Sequence, residues 1–174
     1  MRTPLLFVAL SLAFAGAGHA QRAHNSTAPI NFSADHIELQ DKANRAVLSG
    51  KVSVKQAEMT LNAARMTVAY TGQVVDGSPQ VSRLDAAGGV TVTRPDQTAR
   101  SNFAVYDLDK RVVTMLGGVT LIQAGNTVSG GRLTINLDTG RAVIDGSSVR
   151  SGAGGTTTSS GGRVSGTFSV PKRN

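Results

Sequence analysis

The chain has 174 residues, no cysteine, no tryptophan and a formal net charge of +7. That length suits a single domain, and the missing cysteines exclude both disulfides and cysteine-ligated zinc. The positive charge does not point to nucleic acid: from Arg150 onward there are four basic residues and no acids, which leaves the body from 21 to 149 at only +2, with no clustered cations beside stacking aromatics.

The chain opens on MRTPLLFVALSLAFAGAGHA, with one cation at Arg2, an apolar run from about Leu5 to Ala15, and small residues at Gly18 and Ala20. This is the pattern of a cleavable secretory signal, with cleavage expected after Ala20. The apolar run is shorter than the roughly 20 residues needed to span a bilayer. Residues 21–29 are polar and are expected to form a flexible lead-in. From 30 to 150 the chain alternates apolar and polar residues at period two, as in KVSVKQ, MTVAY, GVTVT, GVTLI and RLTINLD, and Gly, Asp and Asn break the alternation at turns. No window of helical length keeps a period of 3.6, so an antiparallel meander with hardly any helix is predicted. TGQVVDGSPQ, from Thr71 to Gln80, reads as an extended hairpin loop. Residues 151–174 are rich in Gly, Ser and Thr, basic, and expected to be largely disordered, although Val164, Phe168 and Val170 offer one last edge strand. Such a tail favours an anionic membrane surface.

The strands repeat. Gly50-Lys51-Val52-Ser53-Val54, Gly88-Gly89-Val90-Thr91-Val92 and Gly117-Gly118-Val119-Thr120-Leu121 superpose, starting 38 and then 29 residues apart. A second element interleaves with them: SADHIEL from Ser33, NAARMTV from Asn62, RSNFAVYDL from Arg100 and SGGRLTINL from Ser129. In this register Ile37, Met66, Ala104 and Leu133 share one face, as do Leu39, Val68, Tyr106 and Ile135, because residues two apart in a strand point the same way. Units with one apolar face are not stable singly, so they must stack into an elongated sandwich or roll. The predicted fold is all-β, a jellyroll of stacked antiparallel hairpins open at its ends. The unpaired strands are expected near 30–39 at one end and 133–149 at the other, where open backbone groups invite another chain.

Residues that carry catalysis are sparse. His24 and His36 have no second histidine or cysteine at a metal-ligand spacing, and no phosphate-binding loop is present. Asp107, Asp109, Asp138 and Asp145 fall at turns and strand ends, where Asp bonds nearby backbone amides. No metal and no cofactor are expected. A glycan hydrolase would need two such carboxylates brought together in a cleft. A secreted β-solenoid serving as a structural or surface-binding module needs only a dry core with capped ends.

The stretch INFSADHIELQDKANRAVLSGKVSVKQAEMTLNAARMTVAY, from Ile30 to Tyr70, resembles the OstA-like family of periplasmic lipopolysaccharide transport proteins. The likeness rests on the Ala34-Asp35 pair before an extended strand, the turn from Leu48 through Ser49, Gly50 and Lys51 into Val52, Val54 and Gln56, and the step from Leu61 to Ala63. Weaker copies carry it to about Gly146. Where the family tends to repeat the Ala-Asp pair, this chain has Ala63-Ala64, Ser101-Asn102 and Gly130-Gly131.

The resemblance implies a non-enzymatic periplasmic protein that bridges the two membranes. It would stack head to tail with itself and with similar domains of an inner-membrane exporter complex and of an outer-membrane translocon. The acyl chains of lipid A would then pass along an apolar interior. The candidates for that interior are Ile37, Leu39, Val52, Val54, Met66, Val68, Val90, Val92, Tyr106, Val119, Leu121, Leu133 and Ile135. Lys51, Lys55, Arg65 and Arg132 are the candidates for a rim that pairs with lipid phosphates.

Overall fold

The computed structural model describes residues 24–72, 79–146 and 162–168. The expected signal segment, most of the loop after Thr71 and most of the Gly/Ser/Thr-rich tail lie outside these residues. The described chain forms one antiparallel sheet of ten strands: β1 (Ile30–Ser33), β2 (His36–Gln40), β3 (Arg45–Gln56), β4 (Met59–Thr71), β5 (Gln80–Arg94), β6 (Gln97–Asp107), β7 (Val112–Gln123), β8 (Asn126–Asn136), β9 (Ala142–Asp145) and β10 (Ser165–Thr167). From β3 to β8 each strand pairs with the next in sequence. The only helical piece described is a single 3-10 turn, Asp41–Ala43. Strands rich in Val, Thr and Ala, joined by turns with left-handed residues at Asn44, Ala57, Arg111 and Ala124, make a meander the most accessible local solution.

The long strands bend in the middle. The pairing register shifts between Ser49 and Val52, Asn62 and Arg65, Ala87 and Val90, Arg100 and Phe103, and Leu116 and Val119, which traces one fold line across the sheet. On every second strand the bend is made by two consecutive residues in the left-handed region: Gly50 and Lys51, Gly88 and Gly89, Gly117 and Gly118. These are the glycines that head the sequence repeat, and a left-handed pair is a known way for a strand to bulge and change direction.

The interleaved element supplies what lies over each corner. A Cβ on Gly50 would come within 2.6 Å of Asp35 Oδ2, one on Gly88 within 2.8 Å of Ala64 Cβ, and one on Gly117 within 3.2 Å of Asn102 Cβ. The backbone amide of Asp35 also donates to the Gly50 carbonyl at 2.8 Å. The Ala-Asp position of the repeat and its degenerate copies therefore have a steric job, which small side chains also fill.

Folding along that line gives two layers with a shared core. The first layer holds β2, β9 and the segments 45–49, 65–71, 80–87, 103–107, 112–116 and 132–136. The second holds β1, β10 and the segments 52–56, 59–63, 90–94, 97–101, 119–123 and 126–130. Leu48, Met66, Val113, Met115, Leu133 and Leu137 are fully inaccessible in the middle, and each such side chain contributes roughly 2 kcal/mol through burial. The roll is not closed. β1 and β2 cover only one side of β3, β9 and β10 only one side of β8, and their outer edges are unpaired among the described residues.

Candidate functional site

The strand registers line up the inward side chains in transverse rows. In the first layer, Leu48, Met66, Ala86, Ala104, Met115 and Leu133 stand opposite one another from β3 to β8, and Ile37 and Ile144 extend the row onto β2 and β9. The next row runs Leu39, Ala46, Val68, Leu84, Tyr106, Val113, Ile135 and Ala142. In the second layer Phe32, Val54, Leu61, Val92, Ala99, Leu121 and Val128 form one row, and nearer the corner Val52 faces Ala63, Val90 faces Ser101 and Val119 faces Gly130.

The two four-residue faces expected from the repeat are thus parts of two continuous rows. Eleven of the thirteen named interior positions are buried: Val52, Val54, Met66, Val68, Val90, Val92, Tyr106, Val119, Leu121, Leu133 and Ile135. Ile37 and Leu39 share their face but are 42% and 60% exposed, because β2 is the outermost strand and no neighbour covers it. Phe32 on β1 is 51% exposed for the same reason. Alternation along a strand also identifies Leu61, Leu84, Val113 and Met115, which stand at the same inward parity.

The named cations lie elsewhere. Lys51 sits in the corner itself, and Lys55, Arg65 and Arg132 occupy outward positions one residue from Val54, Met66 and Leu133. Arg65 and Arg132 belong to one outer row, Ser49–Arg65–Ala87–Phe103–Leu116–Arg132, with an exposed Phe103 between them. Two of the carboxylates are engaged by neighbouring cations. Asp107 is bound by Lys110 at 2.8 Å, which holds its carboxyl below the usual range, and Asp138 by Arg111 at 3.2 Å.

One polar cluster joins the layers. Gln56 ends the second-layer part of β3 with its side chain inward and 2% exposed. Its amide oxygen accepts from the Tyr106 hydroxyl at 2.6 Å, across from the first-layer part of β6, and lies 3.2 Å from His24 Nε2. Its amide nitrogen donates to the carbonyls of Ser26 and Ala28 at 2.9 and 3.1 Å. These bonds draw the lead-in segment across the gap between the layers, over a recess of about 640 Å³ that Val81, Leu108 and Arg111 line from the other side. A glutamine closing a valine strand gives no periodic signal, so the sequence did not single out this bridge. Removing it by Tyr106→Phe is expected to lower stability by about 1 kcal/mol in urea unfolding, since Gln56 keeps its other partners.

Burial pushes the Tyr106 hydroxyl up to about 12, and Tyr70, with its hydroxyl 3.2 Å from Asp41, is raised by burial and by that carboxylate. These are the chain's two tyrosines. A phenol raised in the folded state adds stability that is complete below the unfolded value near 10 and is lost as pH climbs toward the folded value. At pH 10 the native protein is therefore expected to show less than half of the phenolate absorbance at 295 nm that the urea-unfolded chain shows.

Residues 31–141 match the family described as LptA/(LptD N-terminal domain) LPS transport protein. An uncharacterized protein of Rhizobium meliloti (strain 1021) is 29% identical over 121 residues, which are 67% of this chain and 65% of that protein, so the chain spans about two thirds of that relative's length. The fold is similar to that of LptH from Pseudomonas aeruginosa, described as the LptA homologous periplasmic component of the lipopolysaccharide transport device. The TM-score is 0.67, covering 84% of this chain and 99% of that one at 21% identity. With its bent sheet, its glycine corners and a family match over most of the described strands, the chain belongs to the LptA/LptD N-terminal domain family of lipopolysaccharide transport proteins.

Proposed function

We propose that this protein carries lipopolysaccharide through the periplasm, holding the lipid A acyl chains between its two layers and passing them along the roll toward the outer membrane. The observation that carries this reading is the set of apolar rows running unbroken from one open edge to the other, in a chain of this family. An acyl chain in water costs about 0.8 kcal/mol per methylene, so a continuous apolar path removes the main barrier to crossing an aqueous compartment. The edges fit the same role. Phe32, Ile37 and Leu39 continue the inner rows onto an unpaired edge, so a strand from a second copy or from a similar domain of a membrane partner would extend both the sheet and the path.

The rows pack against each other, and Leu48, Met66 and Met115 have no accessible surface. Cargo therefore enters only when the layers part, and the bridge from Tyr106 through Gln56 to His24 resists that motion. The packed interior is also what a cargo-free β module would have, and the bridge separates the two readings. Purified protein incubated with fluorescent lipopolysaccharide should take it up stoichiometrically, and Tyr106→Phe should take it up faster. Absence of uptake by both proteins would favour the structural module.

A further inference from the structure

We propose that the slot between Phe103 and Arg65, on the outer face of the first layer, binds a sugar that carries an anionic group. The inference uses the periplasmic placement but not the lipid path, which lies on the other face of the same strands. Among the described residues, the exposed large apolar side chains Phe32, Ile37, Leu39 and Val143 lie on edge strands, and Val164 and Phe168 flank β10. Phe103 differs from all of these: it sits on β6, with β5 and β7 on either side, and is still 54% exposed. A single exposed ring means little by itself. What surrounds it gives it a use.

The fold line makes the slot. Arg65, Ala87 and Phe103 are the first paired residues on the first-layer side of the bend in β4, β5 and β6, and register sets Ala87 between the other two. The outer face is convex there, so side chains diverge, and across roughly 10 Å from β4 to β6 the residue between ring and guanidinium offers only a methyl group. The space left is about 270 Å³ and reaches Thr67 and Asp85. β6 has no left-handed pair at its bend. Instead the Ser101 hydroxyl donates to the Phe103 carbonyl at 2.8 Å, which steadies the backbone under the ring.

These walls suit a saccharide. An aromatic face takes the C–H side of a pyranose, a hydroxyl and a carboxylate take its hydroxyl groups, and a guanidinium takes an anionic substituent. Arg83 donates to Asp85 Oδ1 at 2.7 and 2.9 Å, which orients that carboxylate and leaves it lone pairs to accept from a sugar. Arg65 has neither ion pair nor side-chain hydrogen bond among the described residues, so its charge is open to a ligand. Two strands beyond Phe103 in the same row, Arg132 forms no ion pair with Asp145 across from it, and its Nε is shielded from water without a partner. The slot is smaller than the roughly 300 Å³ at which pockets for drug-sized molecules begin, so it admits one ring at a time. Asp85 at its mouth disfavours an anionic membrane surface.

Two periplasmic sources offer this chemistry: the cell-wall glycan, whose muramic acid bears a carboxylate, and the acidic oligosaccharide of lipopolysaccharide. A lipid between the layers would present its own sugars at the strand ends, whereas the slot lies at mid-strand on the outer face, which favours the cell wall. The test titrates the full chain with a muramic-acid disaccharide, with lipid-free lipopolysaccharide oligosaccharide and with the neutral N-acetylglucosamine disaccharide, followed by amide chemical shifts. The muramic-acid disaccharide should shift the amides around Arg65, Ala87 and Phe103 and bind about tenfold more tightly than the neutral one, the strength of one charge-assisted contact. Arg65→Gln should erase that difference, Phe103→Ala should abolish binding of both, and Phe103→Tyr and the edge control Phe32→Ala should bind as the unaltered chain does. The same shifts with the lipopolysaccharide oligosaccharide alone would keep the slot and assign its sugar to the other source. Failure of both acidic saccharides to shift these amides at millimolar concentration, or binding that survives in Phe103→Ala, overturns the proposal. Because none of these ligands has acyl chains, the slot and the lipid-carrier reading stand or fall separately.

Discussion

Gly88→Val is expected to lower the unfolding free energy by about 3 kcal/mol, read as a shift of the urea midpoint, because two penalties coincide at this corner. The residue sits at φ +85°, where a β-branched side chain is strained, and its new Cβ would meet Ala64 Cβ at 2.8 Å. The adjacent residue separates the two terms. Gly89 has φ +67° with nothing within 4 Å of where a Cβ would stand, and Lys51 fills the equivalent place in the first repeat at φ 46°. Gly89→Asn should therefore cost less than about 1 kcal/mol, since Asn tolerates the left-handed region. A large loss at Gly89 with little at Gly88 would contradict the assignment of the corner.

Leu48→Asp and Ile37→Asp alter neighbouring members of a single transverse row and should have opposite consequences. Leu48 has no accessible surface, so a carboxylate there is buried without a partner, and a loss of about 4 kcal/mol or more is expected, enough to unfold a marginal domain. Ile37 is 42% exposed on the outermost strand, where the same change should cost less than about 1 kcal/mol in the isolated chain. Its effect should appear in association instead: sedimentation at rising concentration should show self-association in the unaltered chain and its loss in Ile37→Asp. Unchanged association would remove the β2 edge from the stacking interface.

Much of this was legible in the residues, for reasons the structure makes physical. Alternation gives the facing of a strand because side chains point to opposite sides in turn, so Met66, Val68, Leu133 and Ile135 were placed on one face without knowledge of their partners. The repeated Gly50-Lys51, Gly88-Gly89 and Gly117-Gly118 pairs were visible as well, and they prove to mark the fold line.

Two things were not legible. Parity says which way Ile37 and Leu39 point but not whether another strand covers them, and that depends on where the sheet ends. The bond between Tyr106 and Gln56 links residues 50 apart in sequence and exists only because the sheet bends back on itself. The cations singled out by charge alone, Lys55, Arg65 and Arg132, are each one residue out of phase with the interior.

The most direct measurement is photo-crosslinking from single positions in cells producing lipopolysaccharide, with probes at inward Val54 and Ile135 and outward Lys55 and Asn136. Lipopolysaccharide adducts at Val54 and Ile135, with none at Lys55 and Asn136, are expected of an interior that conducts lipid. Adducts confined to the outward pair, or none at any of the four while edge positions still trap partner proteins, would contradict it.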